Sequence, residues 1–80
     1  MRLDKYLKVS RIIKRRTIAN EACDAGRVIV NGKAARASYE VKAGDMLEIS
    51  LGAKALKVRV VDIKEHTKKE DADMLYEIIT

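Results

Sequence analysis

The spacing of apolar residues changes once along the chain, from about four to two, and this change constrains the fold most. In residues 3–23, apolar side chains such as Leu3 and Leu7 recur three and four positions apart, which is typical of amphipathic helices. In residues 28–60 they alternate with polar side chains, as in half-buried strands. Asn31-Gly32 is typical of a tight hairpin turn. The pattern predicts an α+β fold, with two short N-terminal helices packed on a small, largely antiparallel sheet.

Local signals predict where the helices and strands begin and end. The first helix covers residues 3–9 and breaks at Ser10, and the second begins at residues 16–17, where Thr17 can cap it. Gly26 ends the second helix, because glycine favours the left-handed backbone found there. The expected strands and extended segments are residues 28–30, 33–38, 46–51, 56–61 and 75–79, with a charged loop and a helical turn at residues 64–73.

Composition excludes several classes of protein. Eighty residues make one small domain, which we expect to span residues 1–80. The hydrophobic fraction of 48% is too high for a disordered polyelectrolyte. A single cysteine cannot form an internal disulfide, and one cysteine with one histidine cannot supply the ligands of a zinc site. No apolar run approaches the roughly 18 residues of a membrane span, so we expect a soluble, intracellular protein without a bound metal.

Positive charge is concentrated in the first part of the chain. The formal net charge is +5, yet residues 1–36 hold ten basic and three acidic side chains, a charge of +7, and residues 37–80 carry −2. A basic face on a small domain is typical of proteins that bind nucleic-acid phosphates, although a solvated basic surface or a membrane-surface helix fits the same charge. The candidate RNA-binding residues are the ten bases of that part: Arg2, Lys5, Lys8, Arg11, Lys14, Arg15, Arg16, Arg27, Lys33 and Arg36.

Three consecutive bases, Lys14, Arg15 and Arg16, stand at the start of the second helix. A helix start presents unpaired N–H groups and a partial positive charge, and arginine can bind two phosphate oxygens at once. This combination favours phosphate contact over a solvated loop. The aromatic residues are three tyrosines, too few to stack on several unpaired bases. Structured RNA or duplex phosphates fit better, and charge alone does not separate RNA from DNA.

Residues suited to catalysis are isolated in the sequence. Cys23 lies on the expected buried face of the second helix, where cysteine behaves as a small hydrophobe. His66 lies in the charged loop without an evident serine or cysteine partner. We therefore expect a protein that is not an enzyme, with no catalytic residue, no metal and no cofactor. A protein-interaction module, docking through the sheet face or the mixed-charge C-terminus, is the alternative to RNA binding.

Four short motifs occur in a specific order: Arg2-Leu3-Asp4-x-x-Leu7, Arg15-Arg16-Thr17-x-Ala19, Ala25-Gly26-Arg27-Val28-x-Val30-Asn31-Gly32-Lys33 and Val41-x-x-Gly44-Asp45. This order, over residues 1–50, resembles the S4 RNA-binding domain, named after the fourth small-subunit ribosomal protein. The resemblance implies that both helices and the first hairpin form the RNA-binding surface, with Arg2 and Arg16 at positions that touch RNA. Arg15 stands where many relatives have a small serine cap. Residues 51–80 supply C-terminal strands and a charged segment, and because the chain ends at Thr80 we expect no attached catalytic domain.

Residues 1–17 and 67–70 are also similar to a narrower group, the free-standing factors of bacterial ribosome-associated quality control. That resemblance implies a non-enzymatic factor on an obstructed large subunit, in contact with large-subunit rRNA and peptidyl-tRNA. It also implies a partner protein on that subunit, which adds C-terminal alanine tails to stalled chains. We expect a cytoplasmic, ribosome-associated monomer with no membrane partner. Heat-shock-type factors, which recycle free large subunits carrying a nascent chain, are less similar and are the alternative.

Overall fold

The computed structural model describes residues 1–79 and shows an antiparallel sheet on which the N-terminal helices pack. The elements, in chain order, are α1 (Leu3–Val9), α2 (Arg16–Asp24), β1 (Val28–Val30), β2 (Lys33–Ala34), β3 (Met46–Leu51), β4 (Lys54–Val60), a 3-10 helix (Lys69–Leu75) and β5 (Tyr76–Ile78). The strands lie in the order β2-β1-β3-β4-β5, and every neighbouring pair is antiparallel. The predicted α+β class is confirmed. Within residues 1–79, no helix has the length and apolar character needed to cross a membrane.

The core lies between the helices and the sheet. Leu3 and Leu7 of α1 are fully buried, because positions four apart share one face of a helix. Leu47 and Ile49 of β3 are fully buried as well, whereas Glu48 between them is exposed. Each such apolar side chain stabilises the fold by about 1.5–3 kcal/mol through burial. This packing fixes the orientation of α1 and directs its basic side chains outward.

Asn31 and Gly32 form the hairpin turn between β1 and β2. Their φ angles of 51° and 86° lie in the left-handed region, which glycine adopts freely and asparagine tolerates. The Asn31 side chain also joins the turn to β3, since its Oδ1 accepts a hydrogen bond from the Met46 N–H at 2.9 Å. Its Nδ2 donates to Asp45 at 3.0 Å. The hairpin that carries Lys33 is thus attached to the sheet by a side-chain bridge as well as by strand pairing.

The prediction that Thr17 caps α2 is wrong. The helix begins at Arg16, and its N-cap residue is Arg15, whose side chain makes no capping hydrogen bond. Because the helix starts this early, Thr17 lies inside the first turn, where its hydroxyl is not in the capping position. The start of α2 is therefore cationic and uncapped.

Strand β2 is shorter than the expected segment of residues 33–38 and ends at Ala34. The chain turns there towards the helices, where the Ala37 N–H donates to the Asp24 carboxylate at 3.0 Å. The Ala37 carbonyl accepts a hydrogen bond from the Asp4 N–H at 3.2 Å. Ala35 still donates to the Val28 carbonyl of β1 at 3.1 Å, and the bonds at Ala37 then tie the connection to both helices.

The C-terminal segment contains both the expected helical turn and the expected strand, as the 3-10 helix and β5. Strand β5 pairs with β4 at the edge of the sheet. The buried Tyr6 hydroxyl of α1 donates to the Leu75 carbonyl at 2.7 Å, across 69 positions of sequence. This bond holds Leu75 against α1, and residues 65–67 of the same C-terminal part lie beside the basic side of that helix.

Candidate nucleic-acid interface

Two arginines from different parts of the chain share one buried carboxylate, that of Asp4. Arg2 lies just before α1 in a β bridge with Glu40, and its Nε is 3.2 Å from Asp4 Oδ1. Arg16 begins α2, and its Nε is 3.4 Å from Asp4 Oδ2. Asn20, one turn further along α2, donates to the same carboxylate at 3.1 Å. The packing of α1 against α2 therefore places both guanidinium groups at one spot on the surface.

The Asp4 carboxylate is charged and inaccessible, whereas its arginine partners face solvent. Its side chain is 3% exposed, against 50% for Arg2 and 47% for Arg16. Burial opposes ionisation, but hydrogen bonds from Asn20, Arg2 and Arg16 outweigh it and hold the pKa of Asp4 below its ordinary value. A guanidinium has five N–H donors, so each arginine keeps donors for an outside anion. The arrangement holds two cations in a fixed orientation.

A cleft of about 310 Å³ continues this surface. The helical side supplies Lys5 and Lys8 of α1, Arg11 of the turn that follows and Arg16 of α2. Arg11 reaches the cleft from a left-handed backbone with φ of 62°, which ends α1 sharply. Residues 65–67 form the opposite side, and the Lys5 ammonium makes an ion pair with Glu65 across the cleft. Four of the ten predicted bases thus line one cavity.

A second cleft shares Arg11 with the first and extends the basic surface. One side of this cleft includes Lys14 of the loop before α2, and the other side is the 3-10 helix with Lys69 and Asp73. Because Arg11 lies in both clefts, the bases of α1 and of the loop before α2 follow one continuous groove. We call this surface, lined by Lys5, Lys8, Arg11, Lys14 and Arg16, the basic groove.

The remaining predicted residues lie outside the basic groove. Lys33 and Arg36 line a separate cleft beside the hairpin, together with Tyr39. Arg15 and Arg27 are exposed and line none of these clefts. The structure thus separates the helical set of bases in the basic groove from the hairpin set, Lys33 and Arg36, and places Arg15 and Arg27 in neither set.

Sequence reasoning missed the carboxylates that organise this surface. It placed Asp4 only within a short motif, and it gave Asp4, Asn20 and Glu65 no role at the site. Asp4 meets Arg16 and Asn20 across 12 and 16 positions, and Lys5 meets Glu65 across 60, so no local pattern joins them. A sequence signal exists for one pair, because Arg2 and Asp4 belong to the same short motif.

Of the two residues suited to catalysis, His66 lines the first cleft, whereas Cys23 lies outside it. Cys23 is buried, and burial, with the nearby charges of Asp4 and Asp24, raises the pKa of its thiol to about 11. At neutral pH it is a protonated thiol, which is a poor nucleophile. Within residues 1–79, no group of three or more His, Cys, Asp or Glu side chains could hold a metal ion.

Comparison with known proteins agrees with the motif order and the fold. Residues 1–47 match the model of the S4 domain. The chain belongs to the S4 domain family. This S4 domain includes α1, α2 and the hairpin, which carry Arg2, Asp4 and Arg16, so the family resemblance read from the sequence is confirmed.

Individual relatives of this S4 domain protein fall into the two groups that the sequence indicated. A Streptococcus pneumoniae protein named RQC P-site tRNA stabilizing factor is 59% identical over 80 residues, covering 100% of this chain and 91% of its own. A Heat shock protein 15 homolog from Aeromonas salmonicida is 33% identical over 96% of this chain and 59% of its own. The trimeric structure of Vibrio cholerae Heat Shock Protein 15 has a TM-score of 0.91 at 28% identity, covering 98% of this chain and 80% of that one. The predicted similarity to quality-control factors, and the weaker one to heat-shock factors, are both confirmed.

Proposed function

We propose that this chain is a non-enzymatic RNA-binding factor of ribosome-associated quality control, which holds peptidyl-tRNA on a split large subunit. The observation that carries the proposal is the 59% identity, over the whole chain, to a protein named for stabilising P-site tRNA. The basic groove supplies a surface with the charge that RNA phosphates require. The factor acts in the cytoplasm, on the ribosome.

The chemistry of binding is phosphate recognition by pre-oriented cations. Arg2 and Arg16, held by Asp4, present donors to one stretch of RNA backbone, and the groove lysines and Arg11 bind the neighbouring phosphates. Lys33 and Arg36 on the hairpin side contact a second RNA segment. Arg15 adjoins the helical set in sequence, and Arg27 lies between the two sets. Contact with large-subunit rRNA and with tRNA at once would use these two sets.

Association with the large subunit tests the arginine pair. The double variant Arg2→Ala with Arg16→Ala should weaken binding to subunits that carry peptidyl-tRNA at least about tenfold, because each arginine loses charge-assisted hydrogen bonds. Sedimentation measures this directly. The matched control is Lys54→Ala with Arg59→Ala, which removes two charges from β4, outside the basic groove. Unchanged co-sedimentation of the Arg2 and Arg16 variant would reject the site.

The arginine variant needs a stability control, because it leaves Asp4 buried without either guanidinium. An unpaired buried carboxylate destabilises a fold. Adding Asp4→Asn to the double variant removes that charge. If the triple variant unfolds at the same urea concentration as the wild type and still fails to bind, the loss belongs to RNA contact.

The salt dependence of binding tests the phosphate mechanism. Each phosphate neutralised by a base releases counterions, so the affinity should fall steeply with salt, by about 0.9 logarithmic units per contact for each tenfold rise. Retention on large subunits that does not change with salt would contradict the mechanism.

The finer parts of the proposal concern partners. We propose that the factor assists the protein that adds C-terminal alanine tails, and that it acts as a monomer. In a reconstituted tailing reaction, adding the chain should lengthen the tails, and the Arg2 and Arg16 variant should not. Light scattering of the purified protein gives the oligomeric state, for which the trimeric Vibrio cholerae structure is the contrasting case.

A heat-shock-type recycling factor is the second candidate, favoured by the TM-score of 0.91 to Vibrio cholerae Heat Shock Protein 15. Such a factor should release nascent chains from free large subunits without any effect on alanine tails. The tailing reaction therefore separates the two functions.

A protein-interaction module is the candidate from a different class. Met74 and Ile78 near the C-terminus are 69% and 60% exposed, so they are available for contact with a partner. Free structured RNA should displace the chain from ribosomes if the basic groove mediates the contact. Association that survives this competition would favour a protein contact.

A further inference from the structure

The cleft of the basic groove already contains an anion, the carboxylate of Glu65. It makes an ion pair with the Lys5 ammonium, although 60 positions of sequence separate the two residues. The other charged residues that line the cleft, Lys8, Arg11 and Arg16, are all basic, so one acid faces four bases. This acid comes from the loop after β4, outside the part of the chain that matches the S4 domain.

Carboxylate and phosphate oxygens bind the same donors. Both are anionic acceptors that make short, charge-assisted hydrogen bonds with ammonium and guanidinium groups. The hydrogen bond from Lys5 lowers the pKa of Glu65, so its carboxylate is charged at neutral pH. A carboxylate that binds a lysine inside a basic cleft therefore marks a position that a phosphodiester would also occupy.

We propose that this cleft is a phosphate site of the RNA interface and that Glu65 occupies it in the free protein as an internal competitor. An RNA phosphodiester binds by displacing the Glu65 carboxylate from Lys5. The inference rests on the proposed function as an RNA-binding factor. It adds a specific phosphate site and a residue that weakens the binding of phosphate at that site.

Exposure makes Glu65 displaceable. Its side chain is 66% exposed, and that of Lys5 is 32% exposed, so solvent and other anions reach the pair. An exposed ion pair of this kind contributes little to stability, and an incoming phosphate can replace it at small cost. Asp4 is the opposite case, because it is 3% exposed beneath its two arginines and no phosphate can reach its position.

The test is Glu65→Gln, with a tRNA transcript as the probe. Removal of the competitor should lower the Kd by about two- to fivefold, the range that corresponds to the loss of an exposed ion pair. The slope of affinity against salt should steepen by less than the roughly 0.9 of one contact. Lys5 neutralises a phosphate in both proteins, but only in the wild type does salt also weaken the competing ion pair.

The matched control is Glu77→Gln. Glu77 makes a similar exposed ion pair with Arg59 between β4 and β5, so the substitution changes the net charge by the same amount outside the basic groove. It should leave the Kd unchanged or lower it by less than half as much. In a Lys5→Ala background, Glu65→Gln should have no effect beyond that of Glu77→Gln.

The outcomes distinguish a failure of the proposed function from a failure of the phosphate site. If the wild-type chain fails to bind the tRNA in a salt-dependent manner, the proposed function fails. If the wild type binds and Glu65→Gln behaves as Glu77→Gln does, the phosphate site is wrong and the function stands. Weaker binding by Glu65→Gln would also overturn the inference, since Glu65 would then position Lys5 instead of competing for it.

Discussion

The helical and sheet regions of this S4 domain protein each contain a buried carboxylate with a lowered pKa, and the two serve different ends. Asp4 accepts hydrogen bonds from Arg2, Arg16 and Asn20. Asp45, which is 8% exposed, accepts hydrogen bonds from Asn31, Tyr39 and the Lys42 N–H, each at 3.0 Å. In both cases hydrogen bonding to the charged form outweighs the desolvation that burial imposes.

The difference lies in the donors. Around Asp45 they are neutral groups of the hairpin and its neighbouring loop, so their hydrogen bonds close a turn. Around Asp4 two of the donors are cations with about half of each side chain in solvent. A buried carboxylate with a perturbed pKa therefore does not by itself identify a functional site, whereas the charge and exposure of its partners do.

The largest expected effect is on the free energy of unfolding, and it distinguishes Asp45 from Asp4. Asp45→Ala should lower the free energy of unfolding by about 3 kcal/mol, because several donors lose a charged acceptor at once. The folded variant should bind RNA within about threefold of the wild-type Kd, since Asp45 orients none of the groove bases. Urea unfolding and RNA titration measure the two quantities. The control is Asp62→Ala, at an exposed carboxylate. A large loss of RNA affinity in folded Asp45→Ala would show that the carboxylate of the sheet region also supports RNA binding.

The second effect is on affinity and belongs to Asp4. Asp4→Asn should raise the Kd for a tRNA transcript about tenfold. Arginines that Asp4 no longer holds must become ordered when RNA binds, which costs up to about 2 kcal/mol in side-chain entropy. Asp62→Asn adds the same charge at an exposed carboxylate and serves as the control. Tighter binding by Asp4→Asn would show that Asp4 competes with phosphate, as proposed for Glu65, instead of orienting the arginines.

Acid should act on both regions alike. The pKa of each carboxylate is lower in the folded chain than its ordinary value of 3.8, so below that value the unfolded chain binds more protons. The contribution to stability is complete above pH 3.8 and is lost as the pH falls through the folded pKa values. Urea unfolding at a series of acidic pH values should show this loss, and Asp4→Asn and Asp45→Asn should each flatten it. An unchanged slope in either variant would mean that the carboxylate is not the titrating group.

The smallest expected effect tests where the RNA surface ends. Lys33 lies on the hairpin, in a cleft separate from the basic groove. Lys33→Ala should raise the Kd about two- to threefold and reduce the salt slope by about 0.9, as expected for one peripheral phosphate contact. Lys54→Ala on β4 should change neither. Equal behaviour of the two variants would confine the RNA surface to the helical region.

The elements set by neighbouring residues could be predicted from the sequence. The apolar period of about four predicted both helices. The period of two predicted a strand at residues 46–51, where the structure has β3. The Asn31-Gly32 turn was equally predictable, because few other residue pairs adopt its left-handed angles. The cap of α2 was not, since the pattern could not place the helix start to within one residue and Thr17 falls inside it.

The candidate site could be predicted as a set of charges, but not as an arrangement. The ten bases were evident from the sequence, yet their division into a groove and a hairpin cleft depends on how α1 crosses α2 and where the C-terminal segment lies. Asp4 and Glu65 meet their partners across long stretches of chain, so their roles require the tertiary structure. Charge counts could not separate a carboxylate that holds arginines from one that opposes phosphate, because that difference is one of burial.

The bond from the Tyr6 hydroxyl to the Leu75 carbonyl has a consequence for the order of folding. It closes a loop of almost the entire chain, and such long-range closures are slow because their entropic cost precedes any gain from contact. Local pairs such as the β1–β2 hairpin can form first. During synthesis, this bond to α1 cannot form until Leu75 has left the ribosome. The contact that joins α1 to the C-terminal segment is therefore among the last to form in a newly made copy.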